Sequence, residues 1–329
     1  MPLDRLGELA ALGTAVCWTI TAMSFESAGK RVGSLTVNLL RLAIAAVFFA
    51  AYSLILKGSP VPLDAPARTW EWLGLSGFVG FVIGDLLLFQ AFVLIGSRVS
   101  MLIYSSVPPL TAILGWTVLG ETLSPLGIFG MALTVGGIAI VVLQRNTGGS
   151  PKLDAAAVQV PHGPPSEPLA AAGAAGVAPA GVASMRLPWR GVLFAFGGAL
   201  GQAGGLVLSK LGAPVFNPIE ATQIRGFAGL LGFLVIFFVI RRWRRVAEAL
   251  RDGRAMIRIS VGAFFGPFVG VSAGLYAAQH STTGIASTIM SLVPVFIIIP
   301  SVLFLHEKVT FREVLGAIVA VAGVSLLFF

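Results

Sequence analysis

Charge is what this sequence has least of. Only 11% of its 329 residues are Asp, Glu, Lys or Arg, against about 25% in an ordinary soluble domain. Acids are the scarcer sign, 14 against 22 basic residues, which leaves a formal net charge of +8. Cysteine is almost missing. Cys17 alone cannot form an internal disulfide, and its place in an apolar run says little about redox compartment. No phosphate loop, dinucleotide fingerprint, metal-ligand cluster or nucleophilic triad is present, so transport energised by ATP on this chain is excluded. His280 has no companion at ligand spacing, and no metal or cofactor is expected. What is abundant is apolar surface: 56% of residues are hydrophobic and the mean hydropathy is +0.92. A soluble chain of this length could not bury that much, so soluble enzyme, secreted disulfide scaffold and disordered chain are excluded. The bilayer is the solvent that fits, and the chain reads as an integral protein of the cell membrane.

A spanning helix needs about 20 mostly apolar residues. Ten such runs are predicted: Leu6–Ser27, Ser34–Leu56, Trp70–Leu94, Arg98–Leu119, Pro125–Leu143, Trp189–Ser209, Asn217–Ile240, Met256–Ala278, Thr283–Leu305 and Phe311–Phe329. The first is too long for a signal peptide and has no clear cleavage site. Run length favours helices over barrel strands, giving an all-α membrane protein. Gln144–Pro188, dense in Ala, Gly and Pro, reads as a flexible linker outside the membrane. The expected organisation is a first five-helix repeat over 1–143, the linker over 144–188 and a second repeat over 189–329.

The division into repeats rests on internal duplication. At an offset of 186, Glu121 matches Glu307, Pro108 matches Pro294, Gly130 matches Gly316 and Gly137 matches Gly323. At the same offset Phe78, Gly80, Gly84 and Ala91 match Phe264, Gly266, Gly270 and Ala277. Near the start of each half the offset is 184, which aligns Arg41 with Arg225. Five spans is an odd number, so the second copy must enter the membrane from the opposite side. The result is an inverted repeat, a plan in which the substrate site lies near the midplane between the repeats.

The stretch Ser105–Val142 carries Pro108, Leu119-Gly120-Glu121, Ser124-Pro125 and glycines at 127, 130, 136 and 137. It resembles the signature of the EamA family in the drug/metabolite transporter superfamily, and Val293–Phe328 is its second copy. The resemblance covers both membrane halves but not the linker. It implies ten helices and transport of small metabolites, often export of amino acids or related compounds. Relatives often place both termini inside.

Charge distribution argues the opposite orientation. Sixteen Lys and Arg collect on one face, including the Arg241–Arg258 loop and the linker. The other face has four: Arg5, Lys57, Arg68 and Lys210. The positive-inside rule puts the basic face in the cytoplasm and the termini outside. The Arg241–Arg245 cluster reads as a topology anchor, and no nucleic-acid partner is expected.

Charges within spans are costly and face cavities or partners. Arg41 lies about 10 Å from the basic face and Asp85 about 13 Å from it, so the two can pair. Trp18 reaches that level, and Asn38 shares the face of Arg41 one turn earlier. Arg225 repeats Arg41, whereas Asp85 corresponds to Val271 and Trp18 to Gln202. Unpaired Asp85 is therefore the best candidate for binding an amine or exchanging a proton. Arg225 must find Gln202, Glu220 or a substrate carboxylate. Tyr104, four residues before Pro108, is the first aromatic candidate for a pathway wall, ahead of Gln90 and Tyr276. Gln279 and His280 are expected to face water. Glu121 and Glu307 precede helix starts and read as structural anchors, as do Pro108 and Pro294. Gly262, Gly266, Gly270 and Gly274 form a ridge for close packing.

The expectation is thus a secondary transporter of a small-molecule substrate, working by alternating access. Proton or ion coupling and homodimer formation are both compatible with it. A lipid or lipid-linked-sugar flippase and a non-transporting membrane scaffold are the alternatives.

Overall fold

A computed structural model describes residues 5–88, 90–91, 94, 103–104, 106–144, 189–296 and 311–327. The linker 144–188 lies outside these beyond Gln144, as does Glu307. Every regular element among the described residues is helical.

The first repeat contributes α1 (Leu6–Val32), α2 (Ser34–Lys57), α3 (Ala67–Gly77), a π-helical segment (Phe78–Gly84), α4 (Val107–Leu119) and α5 (Pro125–Gln144). The second contributes α6 (Trp189–Gly212), α7 (Pro218–Ile240), α8 (Trp243–Arg251) and α9 (Gly253–Ala263). A second π-helical segment (Phe264–Gly270), α10 (Val271–His280), α11 (Thr283–Met290), α12 (Val293–Phe296) and α13 (Phe311–Leu326) follow. Six continuous helical stretches are long and apolar enough to cross a membrane: Leu6–Gly29, Leu35–Lys57, Ala67–Leu88, Trp189–Gly212, Pro218–Ile240 and Gly253–His280. Their outward faces carry bare apolar side chains such as Ile55, Val235 and Phe238, a surface suited to lipid and not to water.

Two sequence expectations need correction. The run Thr283–Leu305 is not one continuous helix, because α11 ends at Met290 and a turn at Ser291 and Leu292 precedes α12. Pro108 stands in the first turn of α4, where its missing amide hydrogen costs nothing. The Arg241–Arg258 loop contains a helix of its own, α8, which buries Val246 and Ala249 and exposes its arginines.

Packing follows the duplication. Gly130 of α5 meets the Gly323 carbonyl of α13, and Gly137 meets Gly316 and Ala320. As numbers rise along one helix they fall along the other, so the equivalent helices of the two repeats pack antiparallel. The glycine ridge has an occupant as well. Gly262, Gly266, Gly270 and Gly274 receive Phe25, Thr21, Trp18 and Thr14 of α1 in that order. In the other half, Gly80 and Gly84 lie against Gly205 and Gly201 of α6. The first helix of each repeat thus packs on the third span of the other, and the two-repeat architecture fits this exchange.

Candidate functional site

A cavity of about 310 Å³ lies where the two repeats meet. Asp85, Arg41, Trp18, Tyr104 and Gln202, all expected site residues, line it. Arg41 on α2 donates from Nη2 to Oδ2 of Asp85, and both side chains keep 18% of their surface exposed. The Arg41 guanidinium also lies 5.7 Å from the Phe25 ring centre. Asp85 directly follows the first π-helical segment. The extra residue in a π-turn rotates what comes after it relative to an unbroken helix, and such turns recur at functional sites. The second π-helical segment does the same for Val271, the repeat mate of Asp85, which lines the same cavity.

The lining is built in such pairs. Trp18 and Gln202 are repeat mates and both line it, as are Phe81 and Pro267, Tyr104 and Met290, and Val107 and Val293. The cavity therefore straddles the axis relating the two copies. Asp85 faces an aliphatic Val271 across it, so the site is symmetric in backbone and asymmetric in charge.

Two expected site residues stand elsewhere. Asn38 is buried but does not line the cavity. Arg225 is 4% exposed and does not reach Gln202 or Glu220; its guanidinium carbon stands 5.0 Å from the Phe81 ring centre. Glu220 pairs instead with Lys57 at 2.8 Å. Phe81, Thr21, Ser287 and Ser291 also line the cavity. Sequence reading passed over them because an uncharged residue in an apolar run carries no sign of which way it points.

On the face poor in Lys and Arg, an ion pair and hydrogen bonds join the two repeats. Gly120, at φ 69°, ends α4 in the left-handed conformation that favours glycine. The turn presents Glu121 to the other repeat. Its Oε1 accepts from Lys210 Nζ at 2.6 Å, and its Oε2 accepts from the Thr283 amide and hydroxyl, each at 2.7 Å. Glu121 therefore sits at the start of α11, across the repeat boundary, not at the helix that follows it. That following helix is capped by Ser124, which accepts from the Gly127 amide at 3.0 Å. Gln279, expected to face water, donates to the Ala213 and Phe216 carbonyls, while His280 is exposed and stacked on Tyr276. Gln90 is exposed. The backbone of Pro294 lies in α12.

On the basic face, Arg31 at the end of α1 donates to Asp252 at 2.8 Å. The guanidinium, together with the Ala255 amide, holds the Asp252 carboxyl below the usual carboxylate range. No group of three or more potential metal ligands occurs among the described residues.

Comparison with known proteins supplies the remaining context. A curated relative from Archaeoglobus fulgidus, described as an uncharacterized transporter, is 41% identical over 48 residues. That match covers 15% of this chain and spans only 17% of the relative's length. A crystal structure 16% identical in sequence has the same fold at a TM-score of 0.67, covering 97% of this chain and 95% of that one. The model of the EamA-like transporter family matches residues 5–143 and 189–329, the two halves that pack antiparallel around the cavity. This multi-pass membrane chain belongs to the EamA-like transporter family.

Proposed function

We propose that this chain is a secondary transporter that exports a small zwitterionic metabolite, an amino acid or related compound, by alternating access. The full plan is ten spans in two inverted five-helix repeats with the substrate held between them. One observation carries the reading: an ion pair, Arg41–Asp85, borders an open volume of about 310 Å³ at the repeat boundary. That volume is at the small end of ligand sites, about 300–1,000 Å³, which suits a metabolite and not a lipid chain.

The chemistry follows from the pair. A substrate carboxylate takes the place of Asp85 on Arg41, and a substrate ammonium takes the place of Arg41 on Asp85. Both protein charges stay neutralised throughout, so entry avoids the cost of stranding a charge in a low-dielectric site. Trp18 and Tyr104 supply flat walls for the apolar part of the substrate, and Gln202 offers an amide to its polar end. The Glu121–Lys210–Thr283 ties keep one face closed while the substrate is bound from the other.

The pairing of Arg41 with Asp85 by itself also suits the scaffold reading. The volume beside it is what supports transport. Uptake and counterflow in liposomes, with a panel of amino acids and an imposed pH gradient, test the proposal. Asp85→Asn is expected to lower transport by about tenfold or more, the scale of a charge-assisted hydrogen bond lost to the substrate, and to flatten its pH dependence. Unchanged transport and pH dependence in that variant would rule out the role given to Asp85.

A further inference from the structure

Resting on the transport reading, we propose that Arg225 is a second station for the substrate's carboxylate, presented to the cavity when the protein faces the other way. The cavity wall is composed largely of repeat mates that both take part, five pairs in all. The arginines break that pattern. Arg41 lines the cavity and has a carboxylate partner. Arg225, its mate, is 4% exposed, outside the lining, and meets no carboxylate among the described residues. Its Nε has no hydrogen-bond partner.

A guanidinium so placed is an unusual thing to keep, since a buried charge is retained where it is paired or serves a function. Phe81 lines the cavity and also carries the Arg225 guanidinium on its face at 5.0 Å. The guanidinium also lies beside Gly80, in the seam between the first π-helical segment and α6. That seam has no side chains at Gly80, Gly201 and Gly205, so the backbones pack closely there, and the Ser76 hydroxyl crosses it to the Gly205 carbonyl and the Ser209 hydroxyl.

In an inverted repeat the two access states exchange the conformations of the two copies. Arg41 in the cavity and Arg225 behind Phe81 is one state. Its exchange places Arg225 in the cavity and withdraws Arg41 from it. A carboxylate passed from one arginine to the other always has a cationic partner. Asp85 has no acidic mate, because Val271 stands in that place, so the handover concerns the anionic end of the substrate alone.

The test compares Arg225→Met with wild type in two assays. A residue with only a packing role loses stability when replaced, whereas an unpaired buried cation gains it when an apolar side chain of similar length takes its place. The expected result is a rise in the unfolding temperature of the purified Arg225→Met protein. Sodium benzoate should raise the unfolding temperature of wild type more than that of Arg225→Met, in which Arg41 is the one arginine station left, and neutral benzamide should raise neither. In liposomes, Arg225→Met is expected to lose about tenfold or more of the counterflow of any amino acid the wild type carries, and Arg225→Lys to retain part of it. A fall in the unfolding temperature of Arg225→Met, or no benzoate shift in wild type, overturns the station. Full counterflow in Arg225→Met overturns it too. If wild type carries no amino acid yet shows a benzoate shift that Arg225→Met reduces, the station stands and the amino-acid reading fails; an equal shift in both proteins overturns the station.

Discussion

Arg41 and Asp85 are 44 positions apart and belong to different helices, yet they form an ion pair beside the cavity. Helix rise alone brought them to the same depth in the sequence, and the structure makes them neighbours. Their energetics differ from those of an exposed pair. Each keeps only 18% of its side-chain surface exposed, so removing one partner strands the other in a poor solvent. Arg41→Met is expected to cost about 3 kcal/mol. The double replacement Arg41→Met/Asp85→Leu should recover most of that, because no charge is left unpaired. Unfolding midpoints of the two single variants and the double variant in detergent measure the coupling, and equal costs that simply add would contradict the pairing. Asn38 shows the limit of such depth arguments. It was placed on the face of Arg41 by helical spacing, and it is buried outside the cavity. Residues one turn apart share a helix face but need not share a neighbour.

At the level of elements, the two π-helical segments occupy equivalent positions, Phe78–Gly84 and Phe264–Gly270, and both deliver the next residue to the cavity. The matching Phe and Gly residues were visible as repeats, but the widened turn was not, because hydrogen-bond register has no signature in apolar composition. The amphipathic helix α8 was hidden for another reason. Its nine residues include three arginines and one glutamate, so a search for apolar runs passes over it. Only Val246 and Ala249, three positions apart, face inward. Helix pairs also give a direct test of packing. Gly136 and Gly137 are adjacent on α5; a Cβ on Gly136 meets open space, whereas one on Gly137 falls on the Gly316 and Ala320 backbone of α13. Gly136→Ala is expected to raise stability by up to about 1 kcal/mol through helix propensity. Gly137→Ala should lower it by about 2 kcal/mol, since two backbones must separate. Thermal unfolding of the two proteins should shift in opposite directions; a shift of the same sign and size would contradict the antiparallel contact.

Over the whole molecule, the polar contacts on the face poor in Lys and Arg cross between repeats or between distant helices. Lys57–Glu220, Lys210–Glu121 and the Gln279 contacts to residues 213 and 216 converge there. The other face carries the basic residues, with Arg244 fully out in solvent and bonded only to Glu248 at 3.0 Å among the described residues. By the positive-inside rule, that asymmetry predicts the basic face in the cytoplasm and the termini outside. In a Cys17→Ser background, a cysteine at Glu248 should react with a membrane-impermeant maleimide only after cells are opened, and one at Asp64 should react in intact cells. Reversed labelling would place the termini inside, as the family resemblance implies.

The sequence by itself determined the solvent, the duplication and the short list of intramembrane charges. Each of these is a matter of composition or of spacing along the chain, and spacing survives without knowledge of the fold. It also placed Arg41 level with Asp85, because an α-helix has a fixed rise. Only the tertiary structure decided which charge meets which. It paired Glu121 with Lys210 and Thr283 across the repeat boundary, gave Glu220 to Lys57, and left Arg225 behind the Phe81 ring. Depth along a span fixes one coordinate of a side chain. The other two, its direction and the helix it faces, come from how helices with glycine seams pack, and that is settled between segments remote in sequence.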